Sequence, residues 1–210
     1  MATFLLNLRA VSWTALGLGL AFLIIYAVGV QHYEAGAPVF WEAALRWLHV
    51  LSGIMWIGHL YYFNFTQAPN VPKIPEEHRG PAISKVILPA ALYWFRWGAM
   101  ATLVTGIALA GVNGYLVSAF TLGLADNPSF SITKHVFIGI GMWLATIMWF
   151  NVWFIIWPNQ QMAANIDNRY PDLAADKKAA AARLASLASR INTLLSVPML
   201  VAMTGAQTLN

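Results

Sequence analysis

Long apolar runs broken by short polar clusters organise this chain. The run Val11–Val30 reaches the roughly 20 residues needed to cross a bilayer core. Leu45–Phe65 is the second run, with Trp41 and Trp47 at its start and Tyr61 and Tyr62 near its end, the positions of interfacial aromatic belts. The segment 67–84 carries Pro69, Pro72, Pro75, Pro81 and four charged residues, Lys73, Glu76, Glu77 and Arg79, so it reads as a link. Apolar residues then run from Val86 to about Leu124, too long for one span. Pro89, Gly111 and Gly114 offer breaks, and the membrane part is expected near Tyr93–Leu116, with an interfacial remainder. Asp126, Asn127 and Pro128 form a turn, with Ser131 or Thr133 as N-cap. His135–Trp157 is the fourth span, ended by Pro158. Residues 172–190, Ala-rich and charged, predict an exposed or interfacial helix running into a fifth span, Ile191–Leu209, which Pro198 kinks.

The pattern therefore predicts an all-α integral membrane bundle: about five transmembrane helices plus one interfacial helix, in one domain covering 1–210. Composition sharpens this. The chain is 59% hydrophobic and only 10% charged, against about 25% charged residues in a soluble domain. Too few charges remain to coat a water-facing surface. The formal charge of +4 does not point to nucleic acid, because most basic residues sit in short links, where they orient a membrane protein. Arg9, Lys73, Arg79, Lys85, Arg169, Lys177, Lys178, Arg183 and Arg190 share one side if five spans alternate, with Arg46 and Lys134 near the other. This predicts an N-terminus in the cytoplasm and a C-terminus outside. The lipid bilayer is its first partner. Cysteine is absent, which excludes disulfides, thiolate-held clusters and covalently attached c-type haem.

Ionisable groups at membrane depth are costly, so each is a functional candidate. His49 lies about one turn inside the outer end of the second span, and His135 opens the fourth span at the same end. Two neutral imidazoles facing across a bundle can hold b-type haem, one on each side of the iron. Arg46 and Lys134 would lie where the propionates need positive partners. The alternative is that His49 hydrogen-bonds a carbonyl and His135 is an interfacial cap. His59 is ten residues beyond His49, about 15 Å along a helix. The two cannot share one metal, so a structural role is favoured for His59, with a second ligand site as the minority reading. Met100, Met142 and Met148 are potential ligands that more often serve packing. Arg96 either snorkels or binds an anionic substrate or a quinone oxygen. Asn159 and Gln160, beside Trp157, suit a flat heterocycle or a capped helix end.

Several stretches resemble a known family. They are Arg46-Trp47-Leu48-His49-Val50 with Trp56-Ile57-Gly58; Tyr93-Trp94-Phe95-Arg96-Trp97-Gly98-Ala99-Met100; Asn151 through Gln161 (NVWFIIWPNQQ); and Asn192 through Met199 (NTLLSVPM). Together, from Trp41 to Met199, they resemble the membrane domain of bacterial membrane-bound urate oxidase. The Leu-His…Trp-x-Gly pattern is also similar to small haem-binding membrane proteins of the short protoporphyrinogen oxidase and copper-resistance D types, in which the corresponding histidine is a candidate haem ligand. Members linked to urate oxidation carry a C-terminal cytochrome c domain, whereas this chain stops after the fifth span. The resemblance thus implies a haem b redox protein, a urate-hydroxylase-like oxidoreductase, that passes electrons between a small substrate or quinol and a separate cytochrome c. The alternative is a non-enzymatic accessory or assembly subunit of a larger membrane complex.

Overall fold

The computed structural model describes residues 2–32, 34, 37–126 and 133–208, and within them every regular element is helical. The expected turn at Asn127 and Pro128, the Ser131 cap and Leu209 lie outside the described residues. Helix α1, Leu8–Gly29, starts where the Asn7 side chain accepts a hydrogen bond from the Ala10 N–H at 3.2 Å. Apolar side chains point outward all round it (Trp13, Leu18 and Phe22 are exposed), which only lipid tolerates. At Gly19 it receives the edge of Trp47.

Helix α2, Pro38–Tyr61, begins with proline at its first turn, where the missing N–H has no partner to lose. It continues through a wide π-helical turn, Tyr62–Gln67. The chain turns at Ile74, where the backbone becomes extended, and α3 follows as one continuous helix, Glu76–Val112. Pro89 does not break it. The π-helical stretch Arg79–Ile87 precedes the proline, and such wide turns absorb a missing backbone bond. The break comes at Gly114, whose φ of +73° is the left-handed value glycine adopts without strain. A short helix α4, Leu116–Phe120, follows. The long apolar stretch 86–124 thus holds one long helix, beginning 17 residues before the expected Tyr93, and one short surface turn.

Helix α5, Lys134–Ala164, runs past Pro158 because another π-helical turn, Asn151–Ile156, lies just before it. It stops at Asn165, in the left-handed conformation at φ 49°. Helix α6, Ala175–Thr208, joins the expected interfacial helix and fifth span into one element, with Pro198 inside. Among the described residues, four helices, α1, α3, α5 and α6, are long and apolar enough to cross a membrane. Helix α2 is less apolar, since Glu42, Arg46, His49, His59 and the glycines Gly53 and Gly58 dilute it.

The helices pack in two pairs. Helix α2 runs antiparallel to α3: His49 meets Thr102, Gly98 receives the Trp56 backbone, and Phe63 meets Phe95 edge to face. Helix α6 packs along α5 with Ala181, Ala185, Ala188 and Ala202 buried, the small residues that let membrane helices approach. A polar seam ties these elements. Asn151 donates to Asn192 at 2.8 Å, and Asn192 donates to the Met148 carbonyl at 2.9 Å. Tyr61 and Ser196 share a hydrogen bond at 3.0 Å, and Asn64 donates to Ser189 at 2.8 Å. With no water to compete, each buried amide needs such a partner.

Candidate functional site

His49 stands where α2 crosses the small-residue face of α3. Its Nδ1–H donates to the Thr102 carbonyl at 3.0 Å, with the Thr105 hydroxyl at 3.3 Å. Thr105 in turn donates to the Ala101 carbonyl. This fixes the tautomer and leaves Nε2 with its lone pair. The ring lies over Gly106, where a Cβ would sit 2.8 Å from the imidazole Cε1. Glycine there is a steric requirement of the histidine.

Beside His49 is a small, almost wholly apolar cavity of about 30 Å³, lined among others by Trp56, Gly106, Phe120, Met142, Thr146 and Met203. It lies where the α2–α3 pair meets α5 and α6. Met142 and Met203 bring thioethers to the same space as the His49 ring. The sequence marked Met142 only as a minor candidate and passed over Met203, since a methionine in an apolar helix reads as packing.

His135 does not line this cavity. Its Nδ1–H donates to Asp126 at 2.7 Å, and its ring stacks on Tyr115 with centroids 6.2 Å apart. Ser118 donates to the other oxygen of Asp126 at 2.7 Å. The two hydrogen bonds, from Ser118 and then His135, hold the Asp126 carboxyl below its usual range. Arg46 is engaged by Glu42 one turn earlier on α2, and Lys134 is exposed at the start of α5. His59 donates from Nδ1 to the Met55 carbonyl of its own helix at 2.7 Å.

At the opposite end of the bundle, Arg96 lies against tryptophans. Its guanidinium carbon is 3.8 Å from the Trp157 ring centroid, 5.1 Å from that of Trp153 and 5.8 Å from that of Trp97. Asn159 turns back to cap the Ile155 carbonyl at 2.8 Å, so its amide donor is engaged within its own helix. Gln160 is half-buried and Gln161 is buried, its Nε2 without an acceptor. The arrangement therefore groups Arg96 with Trp153 and Trp157 and keeps this group apart from His49. From Thr102 to Arg96 is six residues, about 9 Å along α3.

No curated protein and no solved structure matches the chain. Two of the four motif stretches, 151–161 and 192–199, fall in the part of the chain where a family likeness is found, and 46–58 and 93–100 lie before it. Over residues 124–207, which include α5, α6 and the Asn151–Asn192 pair, the chain matches the urate oxidase N-terminal family, the family its motifs resemble.

Proposed function

We propose that this protein is a membrane redox component related to urate oxidation, with His49 as an iron ligand to b-type haem and a separate cytochrome c as electron partner. It would sit in a bacterial inner membrane, α2 being a fifth span, with its N-terminus cytoplasmic. The observation that carries this reading is the His49 imidazole. It is anchored through Nδ1, open at Nε2, set over a glycine, and beside a cavity with two thioethers. Anchoring the far nitrogen is what orients histidine ligands and raises their basicity. Neutral His–Met and His–His pairs both hold haem iron.

The donor set fits such a group. The room is small, since about 30 Å³ holds a water or two at most. Binding therefore requires the two helix pairs to part along the seam where the cavity lies. When bound, haem supplies one-electron redox chemistry. The chain's own contribution is to orient the ligand nitrogen through Thr102 and Thr105, to exclude water with Trp56 and Phe120, and to leave space at Gly106. Met142 or Met203 would be the second residue to hold the iron. His135, tied to Asp126, belongs to the outer rim.

The test is an optical spectrum of protein purified from haem-replete cells. A Soret band that moves on reduction supports the reading, and His49→Ala should abolish it. If Met142 or Met203 is the second ligand, its replacement by leucine shifts the band, whereas His135→Ala leaves it in place. Protein lacking the band, and purifying with a stoichiometric partner, would instead mark an accessory subunit.

A further inference from the structure

Arg96 carries a charge that the protein leaves unanswered. It is half-buried, and among the described residues neither a carboxylate nor a hydrogen-bond acceptor meets its guanidinium. Its Nε is buried without a partner. Nearby Arg169 adds a like charge. Buried cations are normally paired, because an isolated charge away from water costs several kcal/mol. The neighbouring orphans are donors as well: Trp153 Nε1 and the Nε2 of Gln161, which is 7% exposed and one turn beyond Trp157 on α5. A cluster of donors lacking acceptors calls for an oxygen-rich anion from outside the chain.

Depth and exposure say where that anion comes from. Arg96 is 16 residues from the Val112 end of α3, about 24 Å along the axis, near the far boundary of a hydrocarbon core about 30 Å thick. Tyr93, Trp94 and Trp97 around it are about half exposed, as aromatics are at headgroup level. This is also the basic end of the bundle, with Lys85 and Arg79 on α3, Arg169 after α5, and Lys177, Lys178 and Arg183 on α6. We infer that Arg96, laid flat on Trp157 and flanked by Trp153 and Gln161, binds the phosphate of an anionic phospholipid. The guanidinium fork matches two phosphate oxygens, and the tryptophan face holds it in that plane. This site stands independently of any haem at His49.

The test is native mass spectrometry of detergent-purified protein after addition of phosphatidylglycerol or phosphatidylcholine. Wild type should retain phosphatidylglycerol selectively. Arg96→Gln should lose that retention about tenfold, as removing one charge-assisted contact does. Arg96→Lys keeps the charge but loses the fork and the stack, and should fall between them. Trp157→Leu, which leaves Arg96 in place but unsupported, should also weaken retention, giving a second route should Arg96→Gln fold poorly. Equal retention of both lipids, or of phosphatidylglycerol by wild type, Arg96→Gln and Trp157→Leu, overturns the assignment. So does displacement of the lipid by inorganic phosphate or urate alone, which would make this a site for a soluble anion.

Discussion

At the scale of single residues, the buried amides and the small residues hold the molecule in register. Asn192 is fully buried and bonded at both ends of its amide. Asn192→Leu should destabilise the protein by about 1–2 kcal/mol, because the Asn151 amide is then left without its acceptor. Reversible unfolding in mixed micelles measures this, and the Asn151→Leu/Asn192→Leu double variant should cost less than the sum of the two single ones. At the rim, Asp126 gives a pH signature. Its folded pKa lies below the ordinary 3.8. Its contribution is therefore complete above that value and lost as the pH falls through the lower folded one. The difference in thermal midpoint between wild type and Asp126→Asn should be constant near neutrality and shrink below about pH 4. None of these partnerships was legible in the sequence. Asn151 and Asn192 are 41 positions apart, and a lone polar residue in an apolar run does not announce what it faces. His49 and Arg96 were legible because charge or imidazole at membrane depth is expensive wherever its partner lies.

At the scale of elements, the apolar pattern revealed most helices but misjudged where they stop. Pro89 and Pro158 read as breakers, yet each follows a π-helical turn that absorbs the missing hydrogen bond. The pattern has no term for such turns, since they change hydrogen bonding and leave hydropathy alone. The charged stretch before Ile191 runs into the last apolar run as the pattern predicts, because its hydropathy changes while its backbone does not: both lie in one helix, Ala175–Thr208. Two glycines make element-level predictions. At Gly139 an added Cβ would collide with the Ala119 carbonyl, which is backbone and cannot swing aside. Gly139→Val should push α4 off α5 and break the Trp143 indole bond to the Phe120 carbonyl, now 3.0 Å. A red shift of tryptophan emission and faster proteolysis within 113–126 would report it. At Gly106 the obstacle is the His49 ring itself, so under the proposed haem ligation Gly106→Ala should move the Soret band while leaving the helical circular dichroism unchanged.

The whole molecule is legible as a membrane bundle from composition alone, and its likeness to the urate oxidase N-terminal family from motifs on α5 and α6. What could not be read was that the two histidines offered as one pair occupy different places. Matched depth in a linear reading does not fix which way a helix faces, and α5 turns His135 toward Asp126 and Tyr115. The pairing of α2 with α3 can be tested directly, because the chain has no native cysteine. A Cβ at Gly98 would lie 3.4 Å from that of Met55, close to the separation a disulfide spans. Met55→Cys/Gly98→Cys should therefore cross-link under mild oxidation, detected by a mobility shift that a reductant reverses. Orientation has its own measurement: Lys177→Cys should react with an impermeant maleimide only after the cells are lysed, and Lys134→Cys in intact spheroplasts.

The packing of neighbours in pairs also sets an order in time. Helices α2 and α3 follow one another in the chain, as do α5 and α6, so each pair can close as soon as its second member leaves the ribosome, with only a short loop to order. The ties between pairs are of another kind. Tyr61 must wait for Ser196 and Asn64 for Ser189, partners made 135 and 125 residues later. Until then Tyr61 lacks its Ser196 partner, Asn64 is held only by the Leu60 carbonyl of its own helix, and the His49 face is uncovered. That interval, before the second hairpin arrives, is when a large flat cofactor would meet the least resistance.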